Sequence, residues 1–369
     1  MKQWLQGGNC IKDEAVNNEE LCLKWLKRSV GMLLFSLLFV VVLFFVFDPY
    51  FHFHGPISGI SYRLYEERYI NDGISRNFEF DTLVTGTSMA QNFKTSEVEN
   101  LFGGVAVKET FSGSGFQETS ENIDRALQRN KELKTIIWSC EYNGFIRAYD
   151  WTDYEGFPTY LYDDDPFNDV SYIFNKSIAY HGLFTNVVMT LKGEEPTSMD
   201  DYSAWESNNG LDHILLLYDR ENVQHDLPSE LTLNEQEMVR ENIQRNLIDL
   251  FKKYPEVTFY LFYTPYSICY WDSLVQMDTL ERQFSAEKIA TELILECPNV
   301  RLYSFFDKHD IITNLDYYRD KEHYDAEISS EILKWMARGD GLITKENYLR
   351  KMEDNISYYS NYDYDSIYR

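Results

Sequence analysis

Three short segments of this chain hold residue types that together could move an acyl group. Gly86-Thr87-Ser88 follows a short apolar run and puts a serine at a strand-to-helix turn, where free backbone N–H groups favour developing negative charge. Far downstream, Asp320-Lys321-Glu322-His323-Tyr324 sets a carboxylate three residues before a histidine. On a tight loop such a carboxylate accepts one imidazole N–H, fixes the tautomer and leaves the other ring nitrogen free to face a serine. Ser112-Gly113-Ser114-Gly115 is a turn whose backbone can approach a substrate oxygen closely. Each piece alone is ordinary: serine is a favoured N-cap, Asp and His abound in helix-capping loops, and Gly-rich turns link strands to helices. Their shared position at strand exits is what points to a nucleophile, a base and an anion-stabilising backbone.

The elements that must bring these segments together follow a regular alternation. Residues 80–85 read as a buried strand with a helix through Leu101 after it, Val105 to Val107 as a second strand with a helix from Glu118 to Arg129, and Thr135 to Trp138 as a third strand. Residues 148–232 interrupt the rhythm with an Asp-, Tyr-, Asn- and Ser-rich insertion expected to pack beside the sheet and shape one rim of the site. The alternation resumes with a helix at Leu233 to Lys253, a strand at Val257 to Tyr263, a helix at Ser273 to Glu296, a strand at Val300 to Phe305 and a closing helix at Ala326 to Arg338. Strand, turn and helix in alternation imply an α/β domain, a parallel sheet with helices on both faces. Its expected limits are residues 79–345, with a polar and aromatic tail at 346–369.

Taken together, the three segments resemble the SGNH/GDSL hydrolase family, which carries Ser after its first strand, Gly after its second, Asn after its third and Asp-x-x-His before its last helix. The resemblance spans most of residues 80–338 and implies a flavodoxin-like sheet and a serine esterase or acyltransferase. On it, Ser88 is the nucleophile, His323 the general base and acid, and Asp320 the residue that orients His323. The Ser88 and Gly113 N–H groups and the side chain of Asn143, in Glu141-Tyr142-Asn143-Gly144, form the oxyanion hole. The chain departs from the family in two blocks, with Gly-Thr-Ser for Gly-Asp-Ser and Glu-Tyr-Asn-Gly for Gly-x-Asn-Asp. Thr264-Pro265-Tyr266-Ser267 reads as a Pro-containing turn with no catalytic role.

Ahead of the domain, Val30 to Phe47 is an almost unbroken apolar run just after Lys24, Lys27 and Arg28. At 1.5 Å per residue it crosses a hydrocarbon core of roughly 30 Å, which predicts a transmembrane helix at residues 29–48. The basic flank puts residues 1–28 in the cytosol and everything beyond the span outside the membrane. Residues 49–78 read as a juxtamembrane linker or helix, with Tyr62, Tyr65 and Tyr69 on one face, and His52 and His54 as members of an interfacial aromatic belt.

A net charge of −26 excludes the clustered cations that nucleic-acid binding requires. Five cysteines with no short repeated spacing give neither a disulfide framework nor a metal site, so no cofactor or metal is expected. His181, His213, His225 and His309 have no partner pattern. An anchored, extracytoplasmic domain of this kind is similar in architecture to envelope proteins that add or remove acyl groups on surface polymers. The expected substrate is therefore an acylated glycan or related envelope polymer. The rival expectation is a catalytically silent binding or assembly subunit that sits beside a membrane-bound acyltransferase.

Overall fold

A computed structural model of the protein describes residues 4–220 and 227–368; His225 lies outside them. The chain opens with helix α1 (Trp4–Phe47), followed by α2 (Glu67–Asn77), β1 (Thr82–Gly86), α3 (Thr95–Phe102), β2 (Ala106–Thr110), α4 (Phe116–Arg129) and β3 (Thr135–Cys140). Among the described residues of the insertion, three short α-helices follow: α5 (Val170–Ile173), α6 (Thr185–Lys192) and α7 (Leu211–Ile214). The second half runs through α8 (Leu233–Ile243), α9 (Asp249–Lys253), β4 (Thr258–Tyr263), α10 (Ile268–Gln276), α11 (Leu280–Ile294) and β5 (Val300–Ser304). It closes with α12 (His309–Ile312), α13 (Ala326–Arg338), β6 (Leu342–Ile343) and α14 (Tyr348–Asn361).

The strands form one six-stranded sheet of order β2-β1-β3-β4-β5-β6, parallel from β2 through β5. The first five follow the doubly wound order in which a crevice opens between β1 and β3 at the carboxyl edge. β6 adds an antiparallel pair to β5 that the apolar pattern did not announce, because two residues are too few to show a period. Side chains of a strand alternate between faces. On β4, Tyr260 and Phe262 meet Phe102 and Phe93 on the α3 side, whereas Phe259 and Tyr263 meet Phe251 of α9 and Thr291 of α11. The sheet is thus covered on both faces, as its near-continuous burial requires.

Several boundaries differ from the sequence reading. The helix expected at 273–296 is two, α10 and α11, broken at Asp278, which adopts a left-handed φ of 57°. The tail expected at 346–369 is a further layer: α14 packs on α11, and Tyr359 stacks on Trp271 at 3.9 Å with both rings buried. α1 runs unbroken from Trp4 past the expected boundary at residue 28, and its membrane-length apolar part is Leu21–Phe47. The segment after it is no loose linker. Asp48, Pro49, Tyr50, Phe51 and His52 are buried, and Tyr50 is ringed by Tyr65, Tyr69 and Tyr172 at 5.4 to 6.1 Å. His52 is accordingly not a belt residue; its Nε2 lies 2.8 Å from the carboxylate of Asp169. A buried imidazole keeps such a partner because the alternative is an unsatisfied polar group.

Candidate active site

Ser88 sits two residues beyond the carboxyl end of β1. Gly86 makes the turn: its φ of 140° disfavours any side chain, and a β-carbon there would collide with Ser139 on β3. The expected long helix after the serine is instead a single 3₁₀ turn, Ser88–Ala90, with α3 beginning only at Thr95. Thr87 caps that turn, its Oγ1 accepting from the Met89 N–H at 3.3 Å, so the Ser88 hydroxyl is not committed as a cap. It faces His323 instead, with Oγ 2.8 Å from Nε2.

The other ring nitrogen completes the line. Nδ1 of His323 lies 2.9 Å from Oδ2 and 3.0 Å from Oδ1 of Asp320, and Oδ1 also accepts the backbone N–H groups of Glu322 and His323 at 2.9 Å. Asp320 is partly buried, which alone would raise its pKa, but these bonds and the adjacent imidazole bring it down to about 2. Burial alone would lower the pKa of His323; hydrogen bonding and charge from Asp320, with Glu141 and Glu322 nearby, outweigh it and raise the value above 6.5. The loop itself is tied on both sides. A bridge pairs Tyr318 with Tyr324, Ser267 donates its N–H and hydroxyl to the Lys321 carbonyl, and Tyr318 donates to the Pro265 carbonyl.

These residues open onto a cavity of about 200 Å³ that Gly113, Asn143, Arg147 and Trp151 also line. Gly113 has a φ of 70°, a conformation open to glycine at no cost, and it brings the β2 exit turn to the cavity wall. The structure therefore gathers Ser88, Gly113, Asn143 and His323 around one space, with Asp320 behind the histidine. Asn143 differs from its expected use in one respect: its Nδ2 donates to Oε2 of Glu322 at 3.2 Å. Asn242 on α8 fixes that turn by donating to the Gly144 carbonyl at 3.1 Å.

Besides Arg147, Trp151 and Asn242, further side chains at the site were not singled out from the sequence. Glu141 is half-buried and accepts from the Thr87 and Tyr266 hydroxyls; burial raises its pKa, those bonds oppose the rise, and the charge of Glu322 adds to it. Glu322 is likewise raised by burial, against the pull of Lys321, His323 and Arg147. Trp205, from the insertion, sets its ring edge-on to His323 at 5.9 Å, and the Arg319 guanidinium lies over the Trp205 ring at 5.4 Å. Tyr266 belongs to the turn expected to be chemically silent. One signal did exist: two of the residues that depart from the resembled pattern, Thr87 and Glu141, bond to each other.

A serine, an imidazole and a carboxylate in line, beside a backbone turn and a cavity, can activate a hydroxyl for attack on an ester or similar acyl carbonyl. No family model matches this chain, and no curated protein does. Among solved structures the chain is similar to one from Streptococcus pneumonia that carries the provisional name platelet activating factor. The identity is 13%, over 73% of this chain and 91% of that one, with a TM-score of 0.38.

Proposed function

We propose that the chain is a membrane-anchored serine esterase or O-acyltransferase of the SGNH type, acting on an acylated glycan or related polymer of the cell envelope. The observation that carries the reading is the line Ser88 Oγ, His323 Nε2, His323 Nδ1, Asp320, with contacts of 2.8 and 2.9 Å, at the edge of a cavity. His323 takes the Ser88 proton as Oγ attacks the acyl carbonyl. The Ser88 and Gly113 N–H groups, with Asn143, receive the oxyanion. The imidazolium, held by Asp320, returns the proton to the departing alcohol and leaves an acyl-serine. Water then completes hydrolysis, or a sugar hydroxyl completes transfer, with His323 again the base. The modest cavity suits a short acyl group, and Arg147 and Trp151 at its wall suit a sugar, whose hydroxyls and apolar face they can engage.

Placement follows from α1. Its apolar stretch supports a single-pass anchor, and Lys24, Lys27 and Arg28 on its N-terminal side support a cytosolic N-terminus with the α/β domain outside. The test is covalent labelling of the full chain by a fluorophosphonate. An activated Ser88 becomes labelled and Ser88→Ala does not. Absence of labelling in the folded wild type would overturn the enzyme reading and leave the silent binding or assembly subunit beside a membrane-bound acyltransferase.

A further inference from the structure

The exit end of α1 is not simply followed by the domain; it is gripped by it. Val40, Leu43, Phe44 and Phe47, one face of the last two turns, pack against the domain core, and Phe44 is fully buried with its ring 5.5 Å from that of Tyr172. Those residues belong to the apolar stretch itself. From Val40 to Phe47 the helix rises about 10 Å. Whatever packs sideways against these turns therefore lies at the same height as the outer part of the hydrocarbon layer.

What packs there is α5 and the following π-helical segment Ile178–Phe184, which continues into α6. Gly182 turns its bare backbone to the end of α1, where a β-carbon would meet Pro49 at 2.8 Å. The inner face holds Ile178, Leu183 and Asn186, with Asn186 Oδ1 accepting the Arg63 N–H at 2.9 Å. The outer face is bare and carries large apolar side chains, with Ser171, Lys176, Ser177 and His181 also exposed in the segment. Phe167 is 87% exposed, Leu191 83%, Tyr180 63% and Phe184 57%, with Val170 and Phe174 about half exposed. Tyr180 and Phe184 stack at 6.0 Å, so the face is a formed surface. In the stretch from Pro166 to Lys192 only Asp169, Lys176 and Lys192 carry charge, in a chain with 60 acidic side chains. Asp169 is turned inward to His52.

We propose that residues 167–191 form a collar that dips into the outer leaflet around α1, a second membrane contact beyond the span. It rests on the reading of α1 as a membrane helix and adds a surface to it. Three observations select lipid over a protein partner: the patch adjoins the span, the segment that carries it is packed on the last two turns of that span, and its exposed aromatic residues are accompanied by Lys176 and Lys192, as in interfacial segments. Amphipathic segments of this kind enter the headgroup and acyl boundary by about 5–10 Å, the depth at which the collar meets α1. Two attachments fix the orientation of the domain, and Asp48 stiffens the joint by accepting the N–H groups of His52, Phe53 and His54 and the hydroxyl of Tyr172. The catalytic cavity is then held at one height above the bilayer.

The experiment uses the full chain in phosphatidylcholine vesicles. Cys10 and Cys22 are replaced by Ser, leaving Cys140, Cys269 and Cys297, which are buried. Nitroxide labels are placed one at a time through Phe184→Cys, Phe174→Cys, Leu191→Cys, Leu34→Cys in α1, and Leu349→Cys beside the opposite sheet edge. Collision with oxygen, which concentrates in lipid, is compared with collision with a water-soluble nickel chelate. The collar labels are expected to resemble Leu34, with an oxygen-to-nickel ratio severalfold above that of Leu349. Collar labels as open to nickel as Leu349, while Leu34 remains in lipid, would overturn the collar and leave the anchor standing. Shielding from both reagents would overturn it in favour of a protein partner or a second copy. A Leu34 label open to nickel would overturn the anchor reading, and the collar with it.

Discussion

The phenol of Tyr324 donates a 3.0 Å hydrogen bond to the carbonyl of Met89, joining the residue after His323 to the residue after Ser88. The two halves of the proposed catalytic pair, 235 positions apart, are thereby fixed to each other by their chain neighbours as well as by their own contact. Tyr324→Phe removes only the donor and leaves a buried carbonyl unpaired. We expect a loss of about 1–2 kcal/mol in unfolding free energy and a fall in kcat of roughly tenfold or more with KM little changed, because reacting atoms are displaced without loss of substrate contacts. A melting shift without any kcat effect would show that the tether is structural only.

Ser88→Ala and His323→Ala in the full chain are expected to lower kcat for a short ester such as p-nitrophenyl acetate by roughly 10³-fold or more with folding unchanged. The full chain is needed because Phe44, inside the span, is a core residue with Val40, Leu43 and Phe47 packed beside it, and a soluble fragment that starts after the span loses all four. Turnover by Ser88→Ala equal to wild type would remove Ser88 from the reaction.

In the proposed mechanism neutral His323 is the base, so kcat/KM is expected to rise with pH with a midpoint above the ordinary 6.5, because Asp320, Glu141 and Glu322 stabilise the imidazolium. Asp320→Asn lowers that midpoint and also the plateau, since an amide neither compensates the cation nor holds the same tautomer. A rate profile flat between about pH 5 and 8 would exclude a histidine base.

Glu141→Gln separates charge from shape. Thr87 and Tyr266 donate to different carboxylate oxygens, so Gln keeps the shape and one of the two acceptors while it removes a carboxylate that helps raise the pKa of His323. The midpoint of the pH–rate profile moves down while the plateau changes less than in Asp320→Asn. An unmoved midpoint would assign Glu141 to holding the Ser88 turn alone.

Tyr359→Ala tests the C-terminal layer. Loss of a buried ring that stacks on Trp271 and donates to the Phe306 carbonyl at 2.7 Å is expected to cost about 3–5 kcal/mol, measured by denaturant unfolding. A change below about 1 kcal/mol, the scale of an ordinary surface substitution, would show that the tail is not part of the folded core.

The features legible in the sequence are those whose information is local. An apolar run of membrane length, alternation of strand and helix patterns, and short blocks at strand exits each depend on residues close together in the chain. From them came the α/β class, the long N-terminal helix and the five residues that now surround or back one cavity, Ser88, Gly113, Asn143, Asp320 and His323. What eluded the sequence involves partners that meet only when the sheet closes. Glu141 reaches the electrostatic surroundings of His323 across 182 positions of chain, and Glu322 accepts from Asn143 across 179. Tyr359 reads as one aromatic among many until Trp271 is brought beneath it. Asp48, His52 and the collar residues look like a generic membrane exit; their burial or exposure depends on where the insertion folds back onto α1. Local propensity and spacing determined which elements form and which residues could react. Long-range packing decided which carboxylates share a site and which apolar faces stay bare, because burial and electrostatic proximity are properties of the assembled chain.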